Sequence, residues 1–144
     1  MSLLRIAHVP PATVEPSASA LEAVQVMAEE GVGAVAVVEN GSVKGIFTER
    51  DVMLRVVLRD RNPRSTKMTE VMTAPVETIH EDTAADEALK HMVERHLRHL
   101  PIVNKNGQLL GMLSIRNLLE HMVEGLTREV ESLDQFLLND GPGG

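Results

Sequence analysis

Apolar residues fall three and four apart over two stretches of the chain: Leu21, Val24, Met27 and Ala28, then Ala85, Ala88, Leu89, Met92 and Val93. At 3.6 residues per turn that spacing makes one apolar stripe along a helix. A short extended piece precedes each stretch, around Ala12 to Glu15 and around Val76 to His80. Candidate N-caps stand between, Ser17 and Ser19 in the first case, Asp82 and Thr83 in the second. After each helix the pattern tightens into short apolar runs. "AVAVV" and "SVKGIF" read as two strands joined by the Asn40-Gly41 turn, and "LPIV" and "QLLGML" repeat them. A second helix follows each pair, from about Glu49 to Leu58 and from about Ile115 onward. The unit is strand, helix, strand, strand, helix, and it occurs twice.

The duplication is visible residue by residue. An offset of 65 places Val14 on Ile79, Ala20 on Ala85, Ala23 on Ala88, Met27 on Met92 and Val38 on Val103. One inserted residue later, an offset of 66 places Gly41 on Gly107, Gly45 on Gly111, Thr48 on Ser114, Arg50 on Arg116 and Asp51 on Asn117. The insertion falls in a turn, where a solvated backbone tolerates a change of length. Between the units, residues 59–67 ("RDRNPRSTK") are polar, contain Pro63 and lack apolar periodicity, as a linker does. The organisation is repeat 1 over 6–58, linker 59–67, repeat 2 over 68–125, and a C-terminal helix extension with a flexible tail over 126–144. Halves of about 60 residues are marginal alone, so the repeats are expected to share a core.

Composition narrows the function. A net charge of −7, a pI near 5.3 and dispersed basic residues argue against nucleic acid as a partner. With two Phe and no Trp or Tyr, the chain also lacks aromatic platforms for single strands. The absence of cysteine removes disulfides and thiolate metal sites, and no apolar run reaches the roughly 18 residues of a membrane span. No secretory signal pattern opens the chain, so a soluble cytoplasmic protein is expected. His91, His96 and His99 have no metal-ligand spacing on one helix. No nucleophile triad, phosphate-binding glycine loop or paired-carboxylate cleft is legible, so no enzyme is expected.

The duplicated polar element carries the chemistry. In "GIFTERD" Thr48 and Asp51 have the spacing of a capping box, in which the hydroxyl accepts from the N3 amide and the acid faces the positive helix end. The same geometry offers free amides to an anion and a carboxylate to the two hydroxyls of a ribose. "GAVAVVENGSVKGIFTERDVM" and "RHLRHLPIVNKNGQLLGMLSIRNLL", each inside a β-α-β-β-α unit, resemble the CBS domain, named for cystathionine β-synthase. The pair resembles a Bateman module over roughly Ile6 to Gly125.

That resemblance implies an α+β fold, two three-stranded sheets packed face to face with helices outside, and two inter-repeat clefts that take adenine nucleotides such as AMP, ADP, ATP, NAD or S-adenosylmethionine. Carried over, the first cleft uses Ile46, Thr48 and Asp51 with Pro75, Val76, Glu77, Leu97, Arg98 and His99. Asp51 would hold ribose and Thr48 would reach phosphate, and because neighbouring strand residues face opposite ways, one of Arg98 and His99 would do so too. The second cleft uses Met112, Ser114 and Asn117 with Pro10, Pro11 and Ala12. There Asn117 replaces the acid, and Gly33 and Ala34 stand where the other copy has Arg98 and His99. Charge-assisted hydrogen bonds make the Asp51 cleft the expected tighter site.

The implied role is a stand-alone sensor that signals to a regulated protein, with no obligatory cofactor. A ligand-free interaction module, with Thr48 and Asp51 only capping a helix, is the alternative. Beyond repeat 2 an apolar stripe of Leu119, Met122, Val123, Leu126, Val130, Leu133 and Leu137 exceeds the needs of one small domain. A homodimer using this tail and the exposed helices is therefore expected, against the stripe folding back on its own core.

Overall fold

The computed structural model describes residues 2–140, with side chains through 138. The 141–144 part of the expected tail lies outside the described residues. Repeat 1 contains β1 (Thr13–Val14), α1 (Ala20–Glu30), β2 (Ala34–Glu39), β3 (Ser42–Thr48) and α2 (Glu49–Asp51), which continues as wide π turns over Val52–Val57. Repeat 2 opens with a short α3 (Met68–Val71), followed by β4 (Ile79–His80), α4 (Ala85–Arg95), β5 (His99–Val103), β6 (Leu109–Ser114) and α5 (Ile115–Asp140). Each repeat makes a three-stranded sheet, ordered β1-β2-β3 or β4-β5-β6. In each, the first pair is parallel and the second antiparallel.

Local chemistry explains the element ends. Ser19 caps α1 in a two-way capping box with Glu22, and Gly31 ends it in the left-handed region at φ 65°. α4 corrects the sequence reading: Ala84 occupies its N-cap without a side-chain bond, and neither Asp82 nor Thr83 caps the helix. The Asp82 amide donates instead to His80 Nδ1 at 3.1 Å, which keeps that stretch in the turn. Asn40 and Gly41 both have positive φ, as a two-residue hairpin turn with the right twist requires. The longer second hairpin is stabilised by Asn104 Oδ1, which accepts from the amides of Asn106 and Gln108. The inserted residue therefore sits in a turn.

The two faces of each sheet do different work. Val35 and Val37 of β2 and Phe47 of β3 point to α1, while Ala34, Ala36 and Ile46 meet Met112 of the opposite sheet. Small alanines on that inner face let the sheets approach closely, and they join the repeats in a shared apolar layer. The chain also crosses between the repeats. Leu3, which precedes repeat 1, is fully buried among Ile79, Met92, Leu100 and Leu113 of repeat 2. Met68 and Val71, which open repeat 2 ahead of its first strand, are fully buried with Phe47 and Met27 of repeat 1. Backbone bonds fix each crossing, His8 with Met112 and Thr73 with Ile46, in both directions. The polar linker is tied down as well, because the carbonyls of Thr66 and Pro63 accept from the first-turn amides of Ala20 and Leu21.

α5 keeps Leu118 and Met122 on repeat 2, but from Leu126 to Leu138 every residue is exposed, so the stripe does not fold back on the core. Among the described residues no helix is long and apolar enough to cross a membrane.

Because the leaders fill each other's repeat, Met68→Ala should cost about 2 to 5 kcal/mol although it lies outside the strands and helices of repeat 1, whereas Val93→Ala, at an exposed position, should stay within about 0.5 kcal/mol. Urea unfolding measures both, and a fragment ending at residue 58 should lack a cooperative transition.

Candidate functional site

Two cavities open where the repeats meet. One, of about 430 Å³, is lined by Ile46 of repeat 1 and by Thr73, Pro75, Val76, Glu77, Leu97 and His99 on the other side. The second, of about 810 Å³, is lined by Ala12, Ala34 and Glu49 from repeat 1 and by His99, Met112, Ser114 and Asn117 from repeat 2. The repeat symmetry relates their walls, Ile46 corresponding to Met112 and Thr73 to His8. His99 lines both.

β3 delivers the Thr48-x-x-Asp51 element. Thr48 is extended at φ −119°, ψ 169°, and its hydroxyl accepts from the Asp51 amide at 3.4 Å. Asp51 Oδ2 accepts from the Thr48 amide at 3.0 Å and from the Thr48 hydroxyl at 3.2 Å. Its Oδ1 accepts from the Thr73 hydroxyl at 3.1 Å and lies 3.4 Å from Arg55 Nε. Asp51 is 7% exposed, so these partners are what allow the carboxylate to be buried at all. Arg55 also donates to the carbonyl of Met72 at 2.8 Å, stitching the wide turns to the chain that leads into repeat 2. Thr73 both lines the smaller cavity and bonds Asp51, so it stands between the cavity and the carboxylate.

The equivalent element in repeat 2 is wired differently. Ser114 Oγ accepts from the Asn117 amide at 3.1 Å, and Asn117 Nδ2 donates to the carbonyl of Ile6 at 2.9 Å. An aspartate there would have no donor for Ile6. The amide thus tethers α5 to the N-terminal leader, a structural reason for the departure from acid.

The expected residues divide cleanly. Ile46, Pro75, Val76, Glu77, Leu97 and His99 line the smaller cavity, and Ala12, Met112, Ser114 and Asn117 line the larger. Thr48 and Asp51 sit behind the cavity wall. Arg98 is exposed and lines neither cavity, and Pro10 and Pro11 line neither. The alternation of β5 sets the two residues apart: His99 faces the sheet interface while Leu100 and Ile102 face the repeat 2 core. His99 is half-buried there.

Sequence reasoning missed Thr73 and Arg95. The repeat offset gives no signal for Thr73, because its counterpart is the chemically different His8. Arg95, at the end of α4, bonds Glu77 across the smaller cavity, and this bond holds the Glu77 carboxyl below its usual range against the opposing effect of burial. His91 Nε2 lies 3.6 Å from the same carboxylate. The larger cavity carries acids paired with bases: Glu30 with His8 at 3.1 Å and Glu120 with Arg116 at 3.0 Å. A Cβ at Gly33 would lie 2.8 Å from Glu49 Oε1 and 3.3 Å from His99 Cε1, so a larger residue there would push the Glu49 carboxylate aside. Among the described residues no group of three or more His, Asp and Glu is placed to hold a metal ion.

A family model described as the CBS domain matches residues 5–58 and again 68–124. The chain belongs to the CBS domain family. Its members are generally regulatory, non-catalytic modules. An uncharacterized protein, MK0525, of Methanopyrus kandleri is 35% identical over 129 residues, which is 87% of this chain and 66% of the relative. The chain spans less than two thirds of the length of several curated relatives it matches, 16% of one from Schizosaccharomyces pombe and 58% and 22% of two from Arabidopsis thaliana. A CBS-domain protein structure from Burkholderia ambifaria superimposes with TM-score 0.78 at 33% identity, covering 86% of this chain and 95% of that one. The protein PAE2072 from Pyrobaculum aerophilum, solved complexed with AMP, gives TM-score 0.73 at 25% identity over 81% of this chain and 89% of that one.

Burial holds the His99 imidazole below its ordinary pKa of 6.5, with Arg98 adding to the depression and Glu49 opposing it. The unfolded chain binds a proton near 6.5 that the folded chain refuses, so this contribution favours folding above that pH and is lost as pH falls below it. His99→Gln should therefore flatten the fall in unfolding free energy just below about pH 6.5, as read from urea titrations across that range.

Proposed function

We propose that this chain is a sensor module that binds an adenine nucleotide in the clefts between its sheets and passes the occupancy to a partner protein. The observation that carries this reading is the pair of symmetry-related cavities, each walled by both repeats. Both volumes fall within the range of about 300 to 1,000 Å³ found for small-molecule sites. The AMP complex of the Pyrobaculum relative supports the ligand class.

In this reading the base lies against Ile46, Val76 and Leu97 of the smaller cavity. The ribose hydroxyls replace the hydroxyl of Thr73 at Asp51, an exchange of one set of hydrogen bonds for another. His99 and Arg95, rather than Arg98, then meet the phosphate, with Arg95 turning from Glu77. Asp51 gives this cleft an acceptor-only carboxylate that Asn117, committed to Ile6, does not give the larger one, so the Asp51 cleft is the tighter of the two. One specific observation favours the ligand-free alternative: every Asp51 contact is already made within the chain, in a complete capping box. Self-association is proposed at Met53, Val57 and Leu58, which the wide turns leave exposed, together with Leu119 on the equivalent helix.

Calorimetry with AMP should find one dominant site. Asp51→Ala should weaken it by roughly one to two orders of magnitude, Arg95→Gln should weaken AMP more than adenosine, and Arg98→Gln should not discriminate. At 100 times the dissociation constant, AMP should stabilise the fold by about 2.7 kcal/mol. A flat thermal response to AMP, ADP, ATP, NAD and S-adenosylmethionine would leave the interaction-module reading.

Light scattering at micromolar concentration should give twice the chain mass of 15.8 kDa, and Val57→Asp should halve it. A monomeric mass for the unsubstituted protein overturns the dimer.

A further inference from the structure

α5 runs past the module with nothing among the described residues covering it. The family match stops at residue 124, while the helix continues to Asp140 with every residue from Leu126 to Leu138 exposed. Its apolar residues keep a strict alternation of four and three through Val123, Leu126, Val130, Leu133 and Leu137. That is the seven-residue period of a coiled-coil seam, with Val123, Val130 and Leu137 at a positions and Leu126 and Leu133 at d positions. β-branched residues at a with Leu at d favour two parallel strands. The seam is distinct from the face that packs on repeat 2, which uses Leu118 and Met122.

The flanking positions decide what covers it. The e positions beside the seam are Glu120, Thr127 and Asp134, and the g positions are Met122, Glu129 and Phe136, so every charged flank is acidic. Parallel pairing of two copies would set Glu129 of one helix against Asp134 of the other. Antiparallel pairing would set Glu120 against Asp134, or Glu129 against its own copy. No homotypic register gains an attractive pair, and the net charge of −7 adds to the repulsion. Lys or Arg at the e and g positions of a different helix would turn each of these contacts into an attraction.

We infer that the Val123–Leu137 seam docks an amphipathic helix of another protein, one with an apolar a/d seam flanked by Lys or Arg, as a parallel two-stranded coiled coil. This deepens the sensor reading by giving its output a surface. The test uses the full chain without nucleotide, so failure of nucleotide binding and failure of docking are separate results. Two synthetic three-heptad peptides serve as probes, both with Val at a and Leu at d, one with Lys and the other with Glu at every e and g position. By fluorescence anisotropy the Lys peptide should bind roughly tenfold or more tighter than the Glu peptide, with the gap narrowing at high salt. The double variant E129K/D134K keeps the seam intact and should reverse the preference. Leu133→Asp should weaken the Lys peptide by about thirtyfold, the loss expected of one central anchor, while leaving the thermal unfolding of the module unchanged. Equal binding of the two peptides, binding of neither, or an unreversed preference in E129K/D134K overturns the inference. So does a native dimer that Leu133→Asp converts to monomer, because the seam would then belong to a second copy.

Discussion

The exchange of leader segments between the repeats is the constraint on which the rest of the structure depends. Each three-stranded sheet has a helix on one side but needs one more apolar group to complete that core, and the group comes from chain that belongs, by sequence, to the other repeat. Met68 and Val71 complete the core around Phe47, and Leu3 completes the core around Leu100 and Leu113. Once the leaders have crossed, the remaining sheet faces are held opposite each other, and the alanines of β2 let them close on Ile46 and Met112. The cavities lie where that closure is incomplete. They are therefore products of the crossing, each one walled by a strand of one repeat and by the leader of the other.

Symmetry sets the positions and individual side chains set the chemistry. Asp51 and Asn117 occupy equivalent places at the start of equivalent helices, yet the first is an acceptor for two threonine hydroxyls and the second spends its amide donor on Ile6. Thr73 and His8 also correspond, but Thr73 turns toward Asp51 whereas His8 pairs with Glu30. A burial cost lies behind both arrangements: a carboxylate at 7% exposure must be surrounded by donors, and whichever groups supply them are fixed in place. Among the described residues His99 alone lines both cavities, and its partial burial between Glu49 and Arg98 keeps it neutral to lower pH than an exposed histidine. A change of charge in either cavity acts on the same imidazole.

The outer surface divides along the same lines. Helix faces that turn inward are apolar and covered, as at buried Leu118 and half-buried Met122, but α5 has a second apolar face that the module never uses. An isolated helical stretch of about 15 residues is marginal in water, because each residue loses backbone freedom for few contacts. The exposed seam thus has a physical reason to be covered, and its acidic flanks bias what can cover it.

The sequence by itself determined the elements and their order. Helical stripes, strand pairs, the Asn40-Gly41 turn, the inserted residue at the second hairpin and the Thr48-x-x-Asp51 cap all follow from spacings within a few residues, and local sterics and hydrogen bonding settle them. The resemblance carried by the duplicated units extended that reading to the fold family and to part of the cavity walls, Ile46, Val76, Leu97, Met112 and Ser114 among them. The tertiary structure alone decided that Leu3 belongs to the second core, that Thr73 rather than solvent meets Asp51, that His99 turns inward while Arg98 does not, and that Arg95 is the cation at the smaller cavity. Asn117 and Ile6 are separated by 111 residues, and Asp51 and Thr73 by 22. No local preference brings such groups together. They meet because packing two incomplete sheets and their crossed leaders leaves one arrangement in which the apolar faces are covered and the buried polar atoms have partners.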